Sequence, residues 1–97
     1  MIGSKFFHTK EEALSFLWDN GYRKSQCYYN DYWHIQLLKH MDTNETVIFH
    51  YHKNREGDIF MVNGYPNEAA GLLKFTQMVQ DILTKLSDTL KVGGHLY

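Results

Sequence analysis

One cysteine and one proline stand in the whole 97-residue chain. The lone Cys27 excludes an internal disulfide and a four-cysteine zinc site, and a reducing cytoplasm is the simplest home for such a chain. Pro66 is the only proline, and there is no Pro/Ser linker, internal repeat or low-complexity tract to divide the chain. A chain of 97 residues has room for one hydrophobic core, so the expectation is a single domain, 1–97. Long apolar runs are missing as well. No segment approaches the ~20 apolar residues that span a bilayer. The opening "MIGSKFFHTKEEALSFL" lacks the apolar stretch and cleavage site of a signal peptide. These absences predict a cytoplasmic chain without membrane contact.

Charge of one sign is equally scarce: 10 Lys and Arg stand against 11 Asp and Glu, leaving a formal charge of −1. That balance speaks against a general electrostatic nucleic-acid binder and against an acidic DNA mimic. No HExxH, Cys-x-x-Cys, Walker loop, GxSxG or dinucleotide glycine fingerprint occurs. The expectation is a non-enzymatic protein without a cofactor. What the chain does have is apolar and aromatic material, 43% and 15% of its residues, enough for a packed core.

Two helices frame the sequence. In "HTKEEALSFLWDNGY", Thr9 can cap a helix and Glu12 completes a capping box. Ala13, Leu14, Leu17 and Trp18 then fall on one side, and Asn20-Gly21 is a stop signal, so a helix over 10–19 is expected. After Pro66, Asn67 can cap a long helix over 68–91. Its apolar arc carries Leu72, Phe75, Val79, Ile82, Leu83, Leu86 and Leu90. Between them the period changes to two. "SQCYY", "WHIQLLKH", "TVIFHYHK" and "DIFMVNG" read as strands joined by Asn30-Asp31, "MDTNE" and "NREG". The fold class expected is α+β: helix, four-stranded antiparallel β-meander, long C-terminal helix, with both helices on one face of the sheet.

Register follows from pairing the largest side chains: Leu37 opposite Phe49, Ile35 opposite Tyr51, then Phe49 opposite Val62 and Tyr51 opposite Phe60. Trp33, Ile35, Leu37, Val47, Phe49, Tyr51, Phe60 and Val62 then share the covered face. The open face carries His34, Gln36, His50, His52 and Met61, with His34 opposite His52 and Cys27 beside His34. Two imidazoles so placed would repel when charged, which predicts stability falling as pH drops through the unfolded histidine value and below. Cys27, His34, His50 and His52 are also zinc-ligand types on one face, the basis of a metal-binding alternative. A Cys27–His34 nucleophile lacks any feature to depress the thiol pKa.

Tyr28, Tyr29 and Tyr32 form an aromatic hairpin. Such residues are enriched where interfaces are half dry and half wet, and together with the open face they are the expected protein-binding surface. Stacking of single-stranded nucleic acid on the same rings, assisted by Lys53 and Arg55, is the alternative. A helix of ~35 Å outreaches strands of ~23 Å. Leu86 and Leu90 on its overhang are therefore expected to bury against a second copy of the chain, making a homodimer. The stretch "FFHTKEEALSFLWDNGY" resembles the small proteins of bacteriophages and other mobile elements. That resemblance implies a non-catalytic protein that binds, and blocks, a host component.

Overall fold

A computed structural model describes residues 2–53, 59–87 and 95–96. The elements run β1 (Ser4–Phe7), α1 (Lys10–Asp19), β2 (Tyr22–Tyr29), β3 (Trp33–His40), β4 (Thr46–His52), β5 (Phe60–Tyr65), α2 (Glu68–Ser87) and β6 (His95–Leu96). Among the described residues the strands form one antiparallel sheet in the order β1-β5-β4-β3-β2-β6. The α+β class and the β2–β5 meander match the sequence reading, but β1 and β6 extend the sheet on both sides beyond four strands.

Both helix starts form as their capping residues dictate. The Thr9 hydroxyl accepts from the Glu12 amide at 3.1 Å, and Asn67 Oδ1 accepts from the Ala70 amide at 2.8 Å. α1 ends at Asn20, and Gly21 takes the positive φ of 87° that lets the chain turn directly into β2. The far end of the expected second helix, 88–91, lies outside the described residues.

The placement of the helices corrects the sequence reading. α1 packs on one face, where Ala13 and Leu17 meet Tyr22, Leu38, Val47, Phe49 and Val62. α2 packs on the other, where Phe75 and Val79 meet Tyr28, Ile35, Leu37 and Ile48. The physical reason lies in the two edge strands. Alternating antiparallel pairs make β1 parallel to β2, and β5 parallel to β6. Each helix is thus a crossover between parallel strands, and such crossovers share one hand. Both cross the sheet in the same lateral direction, but β1 and β5 run opposite ways, so equal handedness puts the helices on opposite faces.

The sandwiched strands β3 and β4 are therefore buried on both sides, with consecutive residues Ile35 to Leu38 and Thr46 to Phe49 inaccessible or nearly so. A bulge between Lys24 and Gln26 in β2 reverses the side-chain parity, so that Tyr22 is buried under α1 and Tyr28 under α2. Trp18, expected on the buried side of α1, is instead 62% exposed, with the Arg23 guanidinium 3.4 Å from its ring centroid.

Candidate functional site

The register decides which side chains meet. β4 and β5 pair as expected, Phe49 with Val62. β3 and β4 do not: Leu37 pairs with Ile48, Ile35 with His50, His34 with Tyr51 and Trp33 with His52. The shift of one residue is set in the "MDTNE" loop. There the His40 amide donates to the Glu45 carbonyl, and His40 Nδ1 accepts from the amides of Asp42 and Thr43 at 3.1 and 3.2 Å. A side chain bonding to the backbone, invisible to a pairing-by-size argument, fixes the hairpin. As a consequence His34 and Gln36 lie on the α1 face, while His50, His52 and Met61 lie on the α2 face.

The expected single histidine face is thereby corrected, and so is the metal alternative. Cys27 and His34 are separated from His50 and His52 by the sheet itself, so the four cannot share one ion. Among the described residues no group of three or more His, Cys, Asp and Glu is placed to hold a metal.

Two clusters result. On the α1 face, Cys27 Sγ lies 3.6 Å from His34 Nε2, which is 3.3 Å from Gln36 Oε1. The His34 ring stacks on Tyr51 at 5.0 Å and 15°. Burial pushes the Cys27 thiol up from its ordinary value, against the lowering effect of Lys24, Lys10 and Lys53. That is the reverse of what a nucleophile requires.

The second cluster is at the tip of the β2–β3 hairpin. His52 lies edge-on to Trp33 at 4.8 Å and beside Tyr32 at 6.3 Å. Asn30 holds this tip. Its side chain is almost inaccessible, its Oδ1 accepts from the amides of Tyr32 and Trp33 at 2.8 Å each, and its Nδ2 donates to Tyr28 Oη at 3.1 Å. The Lys53 amide closes the tip from the other strand by donating to the Tyr32 carbonyl at 2.7 Å. Tyr32 remains exposed, Tyr29 is half-buried, and Tyr28 is 3% exposed in the α2 core. Sequence reasoning passed over Asn30 as an ordinary turn residue. Its neighbourhood of three tyrosines and a tryptophan was the signal that the turn carries something. Of the expected dimer residues, Leu86 falls in the last turn of α2 and Leu90 lies outside the described residues.

His34 and His50 are both held below the ordinary histidine value. For His34 burial dominates, with Gln36 opposing and Lys10, Lys53 and Lys24 reinforcing; for His50 burial acts first and the Lys74 charge second. The unfolded chain then binds more protons than the folded one. Stability is complete above the ordinary value of about 6.5 and is lost as pH falls through it towards the lower folded values. Denaturant midpoints should drop between pH 7.5 and about 5, and less steeply in His50→Gln. The cause is burial of each ring separately, and the expected His34–His52 repulsion does not arise, because those rings lie on opposite faces.

No protein-family model, curated protein or solved structure matches this chain, so its function is read from its own side chains.

Proposed function

We propose that this chain is a small non-catalytic protein-binding module, an inhibitor-type domain that grips its partner through the aromatic tip of the β2–β3 hairpin. The observation that carries the reading is the Asn30 turn. A buried carboxamide spends its bonding capacity on the backbone amides beneath two large aromatic residues and on a core tyrosine. The exposed Tyr32 is thus fixed beside Trp33 and His52 before any partner arrives. Rigid aromatic anchors lose little conformational entropy on binding and dominate the energetics of protein interfaces.

The α2 face continues this surface. Phe6 pairs with Met61, which pairs with His50, and Phe6 and Ile59 are exposed at 63% and 50%. An apolar row beside an aromatic tip has the composition of an interface core. Tyr32→Ala should leave the fold intact and weaken partner capture from cell extract by more than about tenfold, the signature of an anchor residue. A partner retained equally by wild type, Tyr32→Ala and His52→Ala would overturn the reading.

A further inference from the structure

The two sides of the sheet end differently. On one, the bulge between Lys24 and Gln26 bends β2, and β6 pairs with Tyr28 and Tyr29. On the other, β1 is four residues with no bulge and no proline, and among the described residues no strand lies outside it. The register shows which of its backbone groups are left over. The Gly64 amide donates to the Gly3 carbonyl at 3.1 Å, and the pairing continues from Ser4 with Asn63 to Phe7 with Phe60. Bonded and non-bonded pairs alternate along an antiparallel ladder. Lys5 and Phe7 therefore bond to β5, while Ser4 and Phe6 direct their N–H and C=O groups outwards. The Ser4 hydroxyl donates to Asn63 Oδ1 at 2.6 Å, as the close side chains of a non-bonded pair allow.

The side chains of this edge are as open as its backbone. Phe6 lies on the α2 face beside Met61 and is exposed, as is Ile59 next to β5. Lys5 lies on the α1 face, its ammonium 5.4 Å from the Phe16 ring centroid. Glu11 and Glu12 open α1 just beyond the strand. Among the described residues, Lys5, Glu11 and Glu12 make no ion pair.

We infer that β1 is a self-pairing edge: two copies of the chain join β1 to β1 antiparallel about a two-fold axis, Phe6 opposite the partner's Phe6. The two six-stranded sheets become one. Only outward-directed residues can exchange bonds, so the choice of register is narrow. Ser4 against the partner's Ser4 overlaps the strands by a single residue. Ser4 against the partner's Phe6 sets Lys5 opposite the partner's Lys5, and like charges directly opposed destabilise a pair. Phe6 against the partner's Phe6 makes the two exposed rings direct neighbours. It also sets Lys5 opposite the partner's Phe7, two residues from the Thr9 cap that leads into the acidic first turn of the partner's α1. A foreign strand could satisfy the backbone; a second copy also supplies the matching ring and the complementary charge. Because the bulge in β2 blunts the far edge, the contact closes as a two-fold pair and does not propagate into a fibre. The inference needs neither the Asn30 tip nor a foreign partner, so it stands or falls independently of the proposed function.

Sedimentation of the full chain tests this. Strands of four residues make a contact at the weak end of specific interfaces, so dimer mass should build up between about 10 and 500 μM. Phe6→Pro removes an outward amide and leaves the bonds of β1 to β5 intact. Phe6→Lys sets two ammonium groups against each other at the axis. Each variant, shown to be folded by circular dichroism, should raise the dissociation constant at least about tenfold. Trp18→Ala, at an equally exposed ring stacked beside β2, should not. Cross-linking reads the register. In a Cys27→Ala background, Phe6→Cys should oxidise to a covalent dimer, since bonded antiparallel partners have Cα atoms about 5.5 Å apart. Lys5→Cys, diagonal to its mate at about 7–8 Å, should not. A monomer mass at every concentration overturns the proposal. So does a dimer that survives both Phe6→Pro and Phe6→Lys, or Lys5→Cys cross-linking as fast as Phe6→Cys.

Discussion

Phe49→Ala should cost about 3–5 kcal/mol, most of the stability of a domain of this size if it lies near the low end of about 5–15 kcal/mol. Phe49 is fully buried in the centre of β4, and its ring sits 5.5 Å from Tyr51, 6.1 Å from His34 and 6.2 Å from Phe60. Removing it forfeits the transfer free energy of the ring. It also leaves a void that a central strand, buried on both faces and paired on both edges, cannot collapse to fill. Urea denaturation should show the midpoint falling by more than half with little change in slope. A loss below about 1 kcal/mol would mean that the α1 core is not organised around this ring. A second consequence separates packing from a general weakening. Phe49 is part of what keeps water from His34, so in the variant the burial that lowers the His34 pKa should relax, and the acid-side loss of stability should become shallower.

This ring also shows what the sequence disclosed and what it did not. The helices were legible because their signals are local: Thr9 and Asn67 cap, Gly21 stops, and apolar residues recur at helical spacing. Phe49 was correctly paired with Val62, since the aromatic size argument holds across that hairpin. It was wrongly paired with Leu37, because the His40 imidazole, bonding to the loop amides, draws in one residue more than the turn chemistry implies. A shift of one reverses every side chain, whereas a shift of two does not. The β2–β3 turn is shifted by two, with Cys27 opposite Gln36 rather than His34, and the Cys27–His34 contact survived for that reason. A clue to the second covered face was present in "LL" at 37–38 and "VIF" at 47–49. Consecutive apolar residues belong to strands buried on both sides, where a half-open sheet would alternate. The short β1 and β6 carry no periodicity of their own. Without them the helices could not be recognised as crossovers, and the candidate surface was drawn as one face when it is two.

Gly71→Ala should destabilise the fold by about 1–3 kcal/mol, although the substitution favours a helix in isolation. Alanine is the better helix former by about 1 kcal/mol, so a freely exposed glycine in the first turns of α2 would gain from the change. Gly71 is not exposed. It is where the backbone of α2 comes down onto the sheet: an added Cβ would overlap Thr46 Oγ1, lie 2.8 Å from Thr46 Cβ and meet Leu37 Cδ1 at 3.3 Å. Thr46 cannot step aside cheaply. It is 1% exposed, and its hydroxyl donates to the Asn67 carbonyl at 3.1 Å, tying β4 to the cap of the helix. Either that bond breaks or α2 lifts away from Leu37 and Ile48, and both losses exceed the propensity gain. Thr46→Ala alone should cost about 1 kcal/mol for its hydrogen bond. The double variant should be more stable than the sum of the two losses implies, by about 0.5–3 kcal/mol, because removing Thr46 Oγ1 relieves the severest part of the overlap. Thermal and urea unfolding of the four chains closes this cycle. Strict additivity, or a Gly71→Ala chain more stable than wild type, would mean that α2 does not rest on β4 at this point.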